Sequence, residues 1–191
     1  MKKIILASKS NDRSEIFKRA GIPFKIFVTH IEEEKYKEKY PNPIILVKEL
    51  AKAKANFAKN KFSKRKIDAI IIAADTIVVL DGEIIGKAQS EEEAFIMLKK
   101  IIGRNHELVT GIAITETNNS KIIIDFDITY VQFIKLSDQE IRTYIKSNEW
   151  KGRAGAYSIR DKASLFIKKI EGSSSNVIGF PMHKLYKILR K

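Results

Sequence analysis

Residues 69–80 read Ala-Ile-Ile-Ile-Ala-Ala-Asp-Thr-Ile-Val-Val-Leu, an apolar run broken by one carboxylate, Asp75. Isoleucine and valine dominate it, and branched side chains suit a pleated surface better than a helix. A run this short without polar alternation is the pattern of a strand buried on both faces. The chain as a whole mixes strands with helices, which is an α/β pattern with some antiparallel hairpins. An ionised acid inside such a strand costs several kcal/mol, on the scale of a whole domain's net stability, unless a cation or metal answers it. Asp75 is therefore half of a structural ion pair or the mouth of a functional site.

Several segments offer the cation. Asn42 followed by Pro43 predicts a helix start, with asparagine as N-cap and proline at the first helical position, and the helix is expected to run to about Asn60. Val47, Leu50, Ala51, Lys54 and Ala58 fall on one stripe of it, so Lys54 points toward the apolar side. By itself such a lysine reads as one that snorkels to the edge. An inward lysine and a buried aspartate in one small chain make a joint site the more economical reading. Ser8-Lys-Ser-Asn-Asp-Arg13 connects a strand to a helix. Free N–H groups, two hydroxyls and Arg13 there suit an anion, although taken alone the segment reads first as Ser10 capping the helix. Gly86-Lys87 follows the hairpin signal Asp81-Gly82, just beyond the Asp75 strand. Glu32-Glu33-Glu34 clusters carboxylates, a pattern that is usually solvated.

The remaining elements follow from local signals. Lys3–Ala7 reads as a strand, followed by a helix to about Ala20 and a strand at Phe24–Val28. The charged stretch Ile31–Tyr40 reads as a loop, and the long central strand as Ile67–Leu80. Ser90 with Glu93, and Ser137 with Glu140, make capping boxes for helices ending near Ile102 and Asn148. Between them lie strands at about Glu107–Glu116 and Lys121–Phe133. Glu149–Tyr157 reads as a glycine-rich loop, Ser164–Ile170 as a strand, Gly172–Asn176 as a turn, and Pro181 as the start of a last helix. Trp150 and Tyr157 flank that loop, where they serve to stack on a base or to anchor the core. His106 is expected to make an ordinary hydrogen bond at a strand start.

The composition narrows the chemistry. The chain has 191 residues, 44% of them hydrophobic, enough for one domain of two lobes. With no cysteine, disulfides, thiolate catalysis and cysteine metal sites are excluded. His30, His106 and His183 lie far apart, so a metal would be a hard cation on carboxylate oxygens, Mg²⁺ or Mn²⁺. No stretch reaches the roughly 18 apolar residues of a membrane helix, and the N-terminal apolar run is too short for a signal peptide. A soluble, cytoplasmic chain is expected. The net charge of +13 favours a polyanionic partner. Much of the excess lies in Lys52–Lys66 and the C-terminal tail, where Phe57 and Phe62 give thin support for base stacking. A solvated lysine-rich surface is the favoured account of it.

Together these segments resemble the Maf family of nucleoside triphosphate pyrophosphatases over nearly the full length. The resemblance is carried by Leu6-Ala-Ser-Lys-Ser10 with Arg13, Glu32-Glu33, Leu50-Ala-Lys-Ala-Lys-Ala55, Ala74-Asp-Thr76 and Gly86-Lys87. It continues through Gly103-Arg-Asn-His106, Thr110-Gly111, Glu149–Tyr157 and Gly179-Phe-Pro181. It implies hydrolysis of a nucleoside triphosphate to the monophosphate and pyrophosphate with a divalent cation. It also implies one Maf-like domain over residues 1–191, similar in fold to the inosine-triphosphate pyrophosphatases. In that fold a mixed twisted sheet with flanking helices forms two lobes around a central cleft, and a homodimer is expected. On the resemblance, Asp75 is the general base or metal holder, and Glu33, with Glu32, the metal-side carboxylate. Ser8, Ser10, Arg13, Lys54 and Lys87 would bind the triphosphate.

Three positions depart from the family pattern. Its usual Ser-Pro-Arg-Arg is Ser10-Asn11-Asp12-Arg13 here, a common glutamine is Arg160, and the proline after Gly86-Lys87 is Ala88. In the members that prefer dTTP and UTP, the first arginine, the threonine after the aspartate and that glutamine set base preference; of these only Thr76 is retained. Asp12 and Arg160 are expected to form a reciprocal pair across the cleft. The other reading of the chain is a basic regulatory module that binds nucleic acid or cell-division partners without catalysis. Retention of Asp75, Glu33, Lys54 and Lys87 argues for the enzyme, with nucleic acid not expected as a partner.

Overall fold

The computed structural model describes residues 2–190. Strands β1 (Lys3–Ala7), β2 (Lys25–Ile26), β3 (Ala69–Leu80), β4 (Glu83–Ile85), β5 (Asn105–Glu116), β6 (Ile122–Phe133) and β7 (Ile167–Glu171) alternate with helices. The helices are α1 (Asn11–Arg19), α2 (Glu33–Lys39), α3 (Pro43–Lys64), α4 (Glu91–Ile101), α5 (Asp138–Ile145), α6 (Ser174–Ile178) and α7 (Met182–Leu189). The strands hydrogen-bond in the order β2-β1-β3-β5-β6-β7, with β4 on β3. The β1 pairings to β2 and β3 are parallel, and β4 and β7 pair antiparallel, so the sheet is mixed. The expected α/β class holds.

The chain divides into two compact units, one of residues 1–76, 110–127 and 179–191, the other of residues 77–109 and 128–178. Strands β3, β5 and β6 each begin in one unit and end in the other. In the first unit, α3 covers a sheet face made by Ile5, Ala7, Ala69, Ile71, Ala73 and Ala113. It meets them with Ala51, Ala55 and Ala58. Small side chains on both layers let the helix axis lie close to the strands, and Gly111 in β5 marks the closest approach. A Cβ added there would stand 2.2 Å from the Val47 carbonyl oxygen. Phe17 packs edge-on to Phe24 and to Phe180.

The second unit has its own core, in which Phe95 and Leu98 of α4, Ile141 and Tyr144 of α5, Leu108 and Phe133 are buried together. The Asp81-Gly82 hairpin forms as expected, both residues taking positive φ as a tight two-residue turn requires. Ser137 and Glu140 close a full capping box. At α4 the Ser90 hydroxyl accepts from the Glu93 N–H, while the Glu93 carboxylate accepts from Gln89 N–H, one residue outside the cap.

Several local expectations are corrected. The charged stretch expected to be a loop contains α2, stabilised by the i,i+3 pairs Lys35–Glu32 and Lys37–Glu34. It places acids in its first turn and lysines in its last, and it buries no residue, so hydrophobic periodicity gave no signal. The strand expected at Phe24–Val28 shrinks to Lys25–Ile26, although Phe27 N–H still donates to the Leu6 carbonyl; Phe24 packs on Phe17, and Phe27 on Phe57 and Phe62. Lys162–Phe166 is a 3₁₀ turn, and β7 starts only at Ile167. The turn expected at Gly172–Asn176 becomes α6 from Ser174, its Asn176 N–H donating to the Ser173 hydroxyl. Helix α3 runs one turn past Asn60, and β3 starts at Ala69 rather than Ile67, because Lys66 takes a left-handed φ of 53°.

Candidate active site

Asp75 continues the row Ala69, Ile71, Ala73, which faces α3. Lys54 stands on the α3 face that buries Val47, Leu50, Ala51 and Ala58, and is itself 8% exposed. The lysine does not snorkel out. Its Nζ lies 2.5 Å from Asp75 Oδ1 and 2.8 Å from Glu33 Oε1. The Asp75 and Lys54 side chains are 12% and 10% exposed, whereas Glu33, at the start of α2, is 38% exposed. One ammonium thus ties two carboxylates from different elements, one deep and one facing outward.

The neighbouring residue, Thr76, points to the opposite face of β3, as strand alternation requires. There it meets Arg13, from the first turn of α1. The Arg13 guanidinium is buried and donates from Nε to the Gly179 carbonyl (2.7 Å), from Nη1 to Ser8 Oγ (3.1 Å) and from Nη2 to Thr76 Oγ1 (2.9 Å). Burial pulls its pKa below the ordinary value, and the charges of Asp75, Glu33 and Asp12 act against that pull. Ser8 Oγ also accepts from the Ser10 N–H, and Ser10 Oγ caps α1 by accepting from the Arg13 N–H. Ser10 is therefore a helix cap, and Ser8 a tether for Arg13. Two acids, Asp75 and Glu33, and two bases, Lys54 and Arg13, leave this cluster formally neutral.

The other expected residues are placed differently. Glu32 precedes α2 and pairs with Lys35 in solvent, not with Lys54. Asp12 lies half-buried in the first turn of α1. Within the second unit, Lys87 is exposed just after β4 and forms a β-bridge with Ala154, which ties it to the glycine-rich loop. Arg160 lies half-buried after that loop. Trp150 and Tyr157 resolve as core anchors: Trp150 Nε1 donates to the Ile145 carbonyl, and the Tyr157 hydroxyl lies 2.9 Å from His106 Nε2. His106 makes the ordinary bond expected of it, with its pKa lowered to about 4 by burial.

Thr110 and the Gly179 carbonyl were not among the candidate site residues. Thr110 Oγ1 lies 2.9 Å from Thr76 Oγ1, fully buried. The only sequence signal for either residue was its membership of a short motif, Thr110-Gly111 or Gly179-Phe-Pro181, since nothing local marks a carbonyl as a ligand for an arginine 166 positions away.

The Asp75 and Arg13 groups assemble where β1 ends and β3 runs on past it, at the carboxyl ends of parallel strands, the usual place for a ligand in an open α/β sheet. Fold and site together define an α/β protein with a carboxylate–cation centre beside a helix N-terminus. The chain belongs to the Maf family, whose Maf-like protein profile matches residues 3–191. It is 44% identical over 190 residues to a protein of Alkaliphilus oremlandii, covering 100% of this chain and 96% of the relative. It is 41% identical over 191 residues to a protein of Caldicellulosiruptor saccharolyticus, covering 100% and 95%. Both relatives are named dTTP/UTP pyrophosphatase. A solved Nucleoside-triphosphatase / dITP/XTP pyrophosphatase from Mycobacterium abscessus overlaps 69% of this chain and 72% of its own at a TM-score of 0.34 and 11% identity.

Proposed function

We propose that this chain hydrolyses a nucleoside triphosphate to the monophosphate and pyrophosphate, with dTTP and UTP its first candidate substrates. The observation that carries the reading is the Lys54 ammonium held between Asp75 and Glu33 with Arg13 behind them. Phosphoryl transfer asks little covalent work of a protein; it needs cations near the phosphate oxygens and an oriented water. The water oxygen bonds to the α-phosphorus, the bond from that phosphorus to the bridging oxygen breaks, and pyrophosphate leaves with the electron pair. The proton of the water passes to a carboxylate. Lys54 neutralises the carboxylates that would otherwise repel the polyanion. At the start of α1, the oxygens of Ser8 and Ser10 accept within the protein, so their hydroxyl protons, with the remaining Arg13 N–H groups, donate to phosphate oxygens, and Lys87 adds a cation.

The donor set suits a hard divalent cation. Asp75 and Glu33 present carboxylate oxygens, and Mg²⁺ or Mn²⁺ is commonly held by one or two such groups plus water and substrate phosphate. Among the described residues no three histidine or acidic side chains converge, so substrate and water would complete the shell. Bound there, the cation would offset phosphate charge and lower the pKa of a water. Asp75 either takes the proton or holds the cation with Glu33. Asp75→Asn removes both roles, and Glu33→Gln only the second.

The retained Thr76 and the 41–44% identity to the relatives support a pyrimidine nucleotide. Asp12 and Arg160 carry the departure in base choice, which the charge-reversing variant Asp12→Arg with Arg160→Gln tests through the substrate profile. No described helix is long and apolar enough to cross a membrane. The proposal includes cytoplasmic action on the nucleotide pool, with the two compact units as lobes of one Maf-like domain, and a homodimer, checked by light scattering. The deciding assay is pyrophosphate release from the eight common NTPs and dNTPs, and from modified nucleotides, with Mg²⁺ or Mn²⁺. Turnover of at least one nucleotide, lost in Asp75→Asn, is expected; no turnover, or full activity in the variant, refutes the proposal.

A further inference from the structure

We infer that Thr110 is a positioning residue that makes the Thr76 hydroxyl an obligate hydrogen-bond donor toward the substrate. The inference rests on the pyrophosphatase reading and extends it to substrate recognition. It follows from placing two protons. The Thr110 hydroxyl is fully buried, and Thr76 Oγ1, 2.9 Å away, is its hydrogen-bond partner. Were Thr76 to donate to Thr110, the Thr110 proton would be left buried without an acceptor, a costly arrangement. The Thr110 proton therefore goes to Thr76.

Thr76 Oγ1 then accepts twice, from Thr110 and from Arg13 Nη2 at 2.9 Å, which fills both of its lone pairs. Among the described residues its own proton has one acceptor, the Gly179 carbonyl at a long 3.4 Å, and that oxygen also takes the 2.7 Å bond from Arg13 Nε. Thr76 is half-buried, not sealed. A proton so weakly held, on the residue that follows Asp75 in β3, is free to meet an incoming oxygen. That oxygen is an acceptor, either a ring carbonyl of a pyrimidine or a phosphate oxygen. An amino group, such as that of cytosine, finds no lone pair on Thr76. The selection is imposed by Thr110, which is fully buried behind Thr76.

The experiment compares wild type, Thr110→Val and Thr110→Ser. It measures kcat/KM on dTTP, UTP and dCTP, and calorimetric affinity for α,β-imido-dUTP. The isosteric valine frees a Thr76 lone pair and loosens the rotamer; serine restores the donor. If the acceptor is a ring carbonyl, Thr110→Val lowers kcat/KM on dTTP and UTP about tenfold and that on dCTP little, so discrimination collapses. If it is a phosphate oxygen, all three fall alike, by about tenfold. Thr110→Ser recovers wild-type values in both cases. Should the valine variant not fold, Thr110→Cys, whose S–H is a weak donor, takes its place with the same expectation. Unchanged kinetics and affinity in the valine variant, with or without a lower Tm, overturn the inference, as does failure of serine to recover them. A wild type that turns over no nucleotide defeats the pyrophosphatase reading instead, and the α,β-imido-dUTP affinities still decide the role of Thr110.

Discussion

Replacing Gly111 with alanine tests the link between packing and chemistry. The added Cβ would lie 2.2 Å from Val47 O, 2.3 Å from Val47 C and 2.7 Å from Lys48 N, all backbone atoms of α3. Real Cβ contacts stay above 3.0 Å, so helix and strand must part by the difference from 2.2 Å, about 0.8 Å. No side-chain rotation relieves a clash with a main chain. The gap also loosens Ala51, Ala55 and Ala58 against Ile5, Ile71 and Ala73. Overpacking of this kind costs about 1–3 kcal/mol, and the rigid obstacle puts Gly111→Ala toward the upper end. For a chain of this size each kcal/mol lowers Tm by roughly 2–4 °C, so a fall of about 5–10 °C is expected in a thermal melt. Helix α3 also carries Lys54, two turns beyond Val47. A misplacement near 1 Å costs on the order of 10²-fold in rate, and the flexible lysine stem absorbs part of it, leaving a 10- to 100-fold loss in kcat/KM. Gly86→Ala is the control, since a Cβ there meets nothing within 4 Å. A Gly111→Ala variant with wild-type Tm and full activity would show that the close approach of α3 to β5 does not position Lys54.

Three further outcomes are expected. Lys54→Met leaves Asp75 buried without its ammonium; denaturant titration should show a loss of about 3–5 kcal/mol. Adding Asp75→Asn to it recovers much of that stability but no activity, and a double variant no more stable than the single one contradicts the pairing. His106 has its pKa lowered to about 4 by burial, below the unfolded value, so the unfolded chain binds the proton more readily. Stability should therefore fall as pH drops from about 6.5 to about 4, by about 3 kcal/mol in all, and no further below that. In His106→Phe this part of the slope disappears from pH-dependent melts; an unaltered slope refutes it. Asn176 is fully buried and donates to the Leu108 carbonyl and to Thr129 Oγ1, each at 3.1 Å. Asn176→Ala should cost about 1–3 kcal/mol by chemical denaturation, and a cost near zero would mean that those acceptors find other partners.

The elements legible in the sequence were those with strong short-range signals. Asn42-Pro43, Ser90, Ser137 and Asp81-Gly82 each satisfy or bend the backbone within a few residues, and each forms where expected. Lys54 was readable because the 3.6-residue period alone sets the face it shares with Val47 and Leu50. Helix α2 was not, because its stability comes from ion pairs and end charges rather than an apolar stripe. The strand expected at Phe24–Val28 had the right composition, and it forms as regular strand only at Lys25–Ile26, with Phe27 N–H still donating to the Leu6 carbonyl of β1.

The site divides along the same line. Asp75 in its apolar strand and Lys54 on its apolar helix face each announced a buried charge, and burying charge is costly enough that the two had to find partners. The sequence by itself thus determined that an acid and a base lie inside, and its motifs determined the family. Tertiary structure decided who meets whom: Glu33 rather than Glu32 on Lys54, Ser10 on the Arg13 N–H, Arg13 on the carbonyl of Gly179, and Thr110 behind Thr76. Burial and periodicity are written along the chain, but a hydrogen bond depends on angle and distance between atoms far apart in sequence, and only the packed layers of helix and sheet fix those.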